Sequence, residues 1–182
     1  MENTKRIRVI SSLGGHISTV LIFLVPIMSA LFWIFFNKLY PNMRALGIEV
    51  YLLSMLQQDL SAMARFMGFI VSLFPNIVMI YGIIKLRRLF SLYENEIIFS
   101  KDNVKCFRGM GWALIGLWIA NKISDTLLSA VYTFENPPGQ RAIALWFSSG
   151  DFTPLVLGMV VLFISWAMDE GRRIKEEQEQ YI

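Results

Sequence analysis

The sequence predicts an all-α, integral membrane four-helix bundle, with an additional outer amphipathic helix and helical cytoplasmic extensions. Three observations carry that reading. Hydrophobic residues fill 55% of the 182 positions, 14% of positions are aromatic, and the mean hydropathy is +0.50. The apolar residues are gathered into four blocks, each close to the roughly 20 residues needed to cross about 30 Å of hydrocarbon. The Lys and Arg residues, in turn, fall mainly on one side of those blocks.

The first block, 17–36, follows Lys5, Arg6 and Arg8, as a secretory signal would. It is too long for the apolar part of a signal, and Asn37-Lys38-Leu39-Tyr40-Pro41 has no small-residue cleavage pattern. The block is expected to remain as an anchor. Next, Leu46, Leu53, Leu56, Leu60, Met63 and Met67 recur at helical spacing opposite Glu49, Gln57, Asp59 and Ser61. This is an amphipathic helix over about 46–62, lying on the outer leaflet or capping the bundle.

The second block spans 63–84, and Leu86–Tyr93 can carry its helix past the membrane into the loop 85–109. Ser100 reads as an N-cap, with Asp102 in the first turn, where the helix dipole favours an acid. The third helix then starts near Lys101 and contains the block 110–134. Asn136-Pro137-Pro138-Gly139 is a turn signal. Trp146 and Phe147 after it suit an interfacial belt, as does Trp166 at the end of the short fourth block, 152–168. In the tail, 169–182, Arg172–Glu176, Arg173–Glu177 and Lys175–Glu179 form i,i+4 pairs on a charged helix. Each contributes only about 0.2–0.5 kcal/mol. The whole chain reads as one transmembrane domain, with no internal repeat.

Orientation follows from the basic residues of the short loops. Twelve lie at the N-terminus, in loop 85–109 and in the tail; four (Lys38, Arg44, Arg65 and Arg141) lie on the other side; Lys122 is within a span. This split places both termini and the middle loop in the cytoplasm.

Several function classes are excluded. A formal charge of +3 gives no basis for direct nucleic-acid binding. The lone Cys106 and lone His16 exclude a disulfide framework and the usual zinc sets. No HExxH, nucleophile–base set or Gly-rich phosphate loop is present, so neither an enzyme nor a cofactor is expected. The costly residues are those inside spans. Lys or Asp at a helix centre costs about 2.5–3.5 kcal/mol to insert. Lys122 and Asp125 are i,i+3 neighbours beside Asn121, with Ser129 and Tyr132 further along the strip, and Asn76 sits at similar depth after Pro75. Asn76, Asn121, Lys122 and Asp125 are the candidate mid-membrane polar cluster, read either as glue between helices or as a ligand or ion pathway. Pro26 and Pro75 each free a backbone carbonyl that needs a partner. Phe90, Tyr93, Ile97, Ile98 and Phe99 in the cytoplasmic loop form either an interfacial foot or a docking surface for a partner.

The middle loop also carries a resemblance. Leu89-Phe90-Ser91-Leu92-Tyr93-Glu94-Asn95-Glu96-Ile97-Ile98-Phe99-Ser100, then Asn103-Val104 and Gly109-Met110-Gly111, resembles the bacterial membrane family called domain of unknown function 2975. The tail resembles it in Glu170-Gly171 and Glu176-Glu177-Gln178-Glu179. Where family members often have a glycine, this chain has Glu96; a left-handed turn there is strained, so Asn95 is expected to take it. Tyr181 stands where a threonine is expected. The resemblance implies no established activity, but it implies a link to small helix-turn-helix regulators. The favoured expectation is a regulatory or interaction protein whose cytoplasmic loop and tail engage a soluble partner of that kind. The alternative is a small transporter, channel or lipid-binding protein that uses the polar cluster. Four spans rarely enclose a path, so that alternative calls for a homo-oligomer.

Overall fold

The computed structural model describes residues 2–45, Leu56 and 58–180. Among the described residues, five helices follow in order: α1 (Glu2–Ile34), α2 (Phe36–Ala45), α3 (Ala62–Glu94), α4 (Lys101–Thr133) and α5 (Thr153–Gln180). A 3-10 turn, Ser149–Phe152, leads into α5. There is no strand among the described residues. Four of the described stretches are long and apolar enough to cross a membrane: Arg6–Ile34, Ala62–Glu94, Lys101–Thr133 and Ser149–Gln178. The protein is a multi-pass, all-α membrane bundle.

The helices outrun their apolar blocks at the basic end. α3 continues to Glu94 because nothing between Leu86 and Tyr93 breaks it, and it ends in a Schellman motif. Ile97 N–H donates to the Leu92 carbonyl at 2.9 Å, and Glu96 N–H donates to that of Tyr93 at 3.1 Å. The left-handed position falls on Glu96, at φ 64°, and not on Asn95. The hydrogen-bond register fixes which residue must turn, and the conformational preference of Asn95 is overridden. Asn95 instead donates from its side chain to the Ser91 carbonyl at 2.7 Å. α4 starts where expected, with Ser100 Oγ accepting from Asn103 N–H at 3.3 Å and Asp102 in the first turn. Asp102 also pairs with Arg88 and Lys105, each at 3.5 Å. On α5, Arg172 pairs with Glu176 at 2.6 Å as expected, but Arg173 turns back to Glu170 at 3.6 Å instead of forward to Glu177. The Lys175–Glu179 pair involves side chains outside those described.

The chain divides into two compact units, and α1, α3 and α4 contribute to both. One holds residues 1–23, 78–118 and 149–182; the other holds 24–77 and 119–148. In the first unit, α5 packs antiparallel on the N-terminal half of α4. Ser165 Oγ donates to Val104 O at 3.4 Å, and Phe152 meets Trp118 with ring centroids 6.1 Å apart. Between those points Gly111 and Gly158 face one another. A Cβ on Gly111 would lie 3.1 Å from the Gly158 carbonyl oxygen, and one on Gly158 would lie 3.0 Å from that of Gly111. Only glycine permits this backbone approach, the small-residue packing typical of membrane helices.

The second unit is built around aromatic rings. Trp33, Phe36 and Tyr132 are buried and stack with centroids 5.3–6.0 Å apart. The Trp33 indole N–H donates to Ser72 Oγ at 3.0 Å, and its ring lies over Gly68, where a Cβ would come within 2.1 Å of it. Pro75 lies inside α3 without ending it. The carbonyl it frees belongs to Val71, and the buried Ser124 of α4 donates to that oxygen at 3.5 Å. α2 is an unforeseen continuation of the first span beyond a break at Phe35.

The amphipathic helix expected over 46–62 falls mostly outside the described residues. Of that stretch, Leu56 and 58–62 are described; Leu56 and 58–61 are not helical, and Ala62 opens α3. The Asn37 side chain clamps Leu60 from both sides, accepting its N–H at 3.1 Å and donating to its carbonyl at 2.9 Å. This amide pair replaces helical bonds, and Ser61 Oγ then caps α3 through Ala64 N–H at 3.2 Å.

Candidate functional sites on α4 and in the basic loop

After α4 the chain reverses at the expected turn. Gln140 N–H donates to Pro137 O at 3.0 Å, with Pro138 in the first corner and Gly139 at φ 92° in the second, the arrangement of a type II turn. Residues 141–148 are then neither helix nor turn. They lie extended along α4, bonded to its side chains. Ala142 N–H donates to Thr133 Oγ1 at 3.1 Å, and the same hydroxyl lies 3.0 Å from the Ala142 carbonyl. Ala144 N–H donates to Ser129 Oγ at 2.8 Å, and Lys122 Nζ donates to the Trp146 carbonyl at 3.4 Å.

The spacing explains the fit. Two residues of extended chain advance about 6.6 Å, and four residues of α-helix advance about 6 Å. Hydroxyls at i and i+4 on α4 therefore match alternate amides on the extended segment. Ser129 is fully buried, and Thr133 nearly so. Ile143 and Leu145 are exposed while Ala144 and Trp146 are half-buried, the two-residue alternation of a strand. In hydrocarbon a backbone group without a partner costs several kcal/mol, so non-helical chain at that depth needs protein partners. The polar strip on α4 supplies them.

Lys122 is the anchor of that strip and is 8% exposed. It pairs with Asp125 at 3.1 Å, and its ammonium lies 5.7 and 5.6 Å from the ring centroids of Trp146 and Phe147. Coulombic pairing, a carbonyl and two ring faces thus hold a charge that would otherwise be costly. The structure brings Lys122 and Asp125 together, and adds Trp146 to them. Asn76 and Asn121 are half-buried on α3 and α4, and no hydrogen bond joins them to that pair among the described residues. The Asn76 side-chain nitrogen is buried without a hydrogen-bond partner. Thr133 was not singled out by the sequence, yet it lies eight residues beyond Asp125 with Ser129 midway. That i,i+4,i+8 polar series was the available signal.

The second candidate region is the basic loop. Its first end is fixed by the Schellman motif and by an Arg8–Glu96 ion pair at 3.3 Å. Its other end is fixed by Asn103, which is fully buried. Asn103 donates to the Ile97 carbonyl at 3.0 Å and accepts from Ser100 Oγ at 2.5 Å. The loop has an imposed shape, and it leaves Ile97, Ile98 and Phe99 exposed, Phe99 most of all at 63%. Phe90, Tyr93 and Ile98 line an apolar groove of about 410 Å³ together with Ile7, Ile10 and Ser11. Ile97 and Phe99 do not line it. Among the described residues no group of His, Cys, Asp and Glu is placed to hold a metal ion.

The chain matches the family described as Protein of unknown function (DUF2975) over residues 24–182. It belongs to that family. No curated protein and no solved structure matches it. The matched region begins at the first residue of the second unit and takes in the loop, the α4 strip, the extended segment and α5, whereas Ile7, Ile10 and Ser11 of the groove precede it.

Proposed function

We propose that this protein is a membrane-embedded regulatory or interaction protein whose basic loop docks a soluble protein partner of the helix-turn-helix regulator class. The observation that carries the reading is the loop itself. A segment fixed at both ends holds three large apolar side chains in the open beside an apolar groove. Side chains already ordered lose little further freedom on binding, and a clustered exposed apolar patch marks an interaction surface. The proposed setting is a bacterial inner membrane, with both termini and this loop in the cytoplasm. The basic-residue split supports that orientation. The transport reading is weakened because Lys122, its costliest residue, already serves Asp125 and the Trp146 carbonyl.

The test is purification in mild detergent of the wild type and of Phe99→Ser. Wild type should retain a soluble DNA-binding protein that Phe99→Ser loses, with both proteins equally folded. Identical sets of co-purifying proteins from the two would overturn the docking reading. Orientation is checked by impermeant thiol labelling in a Cys106→Ser background. A cysteine at position 139 should react in intact cells and one at position 96 should not; the reverse would invert the topology.

A further inference from the structure

We propose that the groove between α1 and α3 at the basic end binds the headgroup of a phospholipid carrying a primary ammonium, as in phosphatidylethanolamine. The groove encloses about 420 Å³ and is lined by Ser12, Gly15, His16, Thr19, Val20, Arg87, Ser91 and Glu94. Its charges are the uncommitted ones. Of the basic cluster at the end of α3, Lys85 lies 5.1 Å from the centre of the Tyr81 ring, and Arg88 pairs with Asp102. Arg87 makes no ion pair or hydrogen bond within the described residues, and neither does Glu94. They line one groove yet do not pair with each other.

Their order along α3 is what selects the ligand. Val20, exposed and apolar, marks the end towards the membrane interior. Arg87 comes next and Glu94 lies beyond it, two helical turns further from the span, about 10.5 Å along the axis. A phospholipid at the interface presents the same sequence outwards: acyl chain, phosphate anion, then ammonium. An ethanolamine phosphate with a hydrogen bond at each end is of the right length to join the two side chains. Arg is suited to phosphate oxygens, and the carboxylate of Glu94 accepts from a primary ammonium but finds no N–H on a quaternary one. His16 adds a polar edge: its Nδ1 is 2.7 Å from the Ser12 carbonyl and donates to it. Gly15 makes the space. A Cβ built on it meets nothing within 4 Å, so a larger side chain there would fill the groove without disturbing the packing of α1 on α3. The site is independent of the loop's partner.

The experiment is native mass spectrometry of the full chain with mixed micelles containing dioleoyl phosphatidylethanolamine, phosphatidylcholine or phosphatidylglycerol. Wild type should retain the ethanolamine lipid about tenfold better than the choline lipid, the size of one charge-assisted hydrogen bond. Glu94→Gln should abolish that preference, and Arg87→Gln should weaken retention of all three. Gly15→Leu should remove binding while leaving the melting temperature in lipid-free detergent unchanged, which separates occupancy from folding. Equal retention of the ethanolamine and choline lipids by wild type, or an unaltered preference in Gly15→Leu, would overturn the site. Retention of water-soluble glycerophosphoethanolamine equal to that of the lipid would overturn the assignment to a membrane lipid.

Discussion

In the unit that contains α5, α4 is covered by another helix, and the contact is made by glycines whose backbones nearly touch. In the other unit, α4 is covered by an extended chain, and the contact is made by hydroxyls and an ammonium. The same helix therefore uses two kinds of complementarity along its length. One is limited by volume and tolerates no added atoms. The other is limited by hydrogen bonding and tolerates no lost ones. Substitutions that would be harmless in one unit should be damaging in the other.

The largest effect is expected at Lys122. Lys122→Met leaves the half-buried Asp125 without its cation, and the loss should lie at the low end of the about 3–5 kcal/mol that breaking a fully buried pair costs. Adding Asp125→Leu should restore only part of that, because the Trp146 carbonyl remains without its donor, a deficit of about 1–3 kcal/mol. Thermal unfolding in detergent of the single and double variants reads both numbers. Complete recovery in the double variant would show that the extended segment takes no support from Lys122, and the contrast between the units would weaken.

Overpacking comes next. Gly111→Val should cost about 1–3 kcal/mol, since its Cβ alone would come within 2.7 Å of Leu162 and 3.1 Å of the Gly158 carbonyl oxygen. The amides of Ala142 and Ala144 should keep their protection from hydrogen exchange in that variant. Rapid exchange at those amides would mean that the two kinds of contact are not separable.

A matched pair of serines sharpens the comparison further. Ser129 and Ser165 are both fully buried. Ser129→Ala strips the Ala144 amide of its acceptor and should cost about 1–3 kcal/mol. Ser165 only adds a donor to Val104 O, a carbonyl inside α4, so Ser165→Ala should cost no more than about 0.5–1.5 kcal/mol. Equal losses in a detergent melt would contradict the assignment of a bonding role to the α4 strip.

The four spans were legible because block length alone decides whether a segment can cross hydrocarbon. The start of α4 was legible because an N-cap serine followed by an acid has a local cause. The extended segment was not. Ile143-Ala144-Leu145-Trp146-Phe147 is too short to span and too apolar to look like a special structure, and its conformation is imposed by Ser129 and Thr133 across a turn. Likewise, Asn37 lies 23 residues from the Leu60 backbone it clamps, a relation no local pattern encodes. For the candidate cluster, the Lys122–Asp125 pairing could be read from i,i+3 spacing, whereas its tie to Trp146 could not.

The smallest effect is a gain. Glu96 holds a left-handed conformation that costs a non-glycine residue about 1–2 kcal/mol. Glu96→Gly should stabilise by about 0.5–1 kcal/mol, after allowing for loss of the exposed Arg8 pair. Glu96→Ala keeps the strain and loses the pair, so it should melt below wild type. A higher melting temperature for the alanine variant would show that the ion pair, and not the turn, is the burden at this position.

The extended segment also sets an order of events during synthesis. A helix satisfies its own amides and can leave the insertion machinery alone, but residues 141–148 cannot, because their bonds are completed by Thr133, Ser129 and Lys122. α4 must already be in the bilayer when this segment emerges. α5 follows directly through the 3-10 turn, so it arrives tethered to a neighbour already in place. The last span is therefore positioned by what its predecessor has already bound, and a slip in that docking would carry α5 with it.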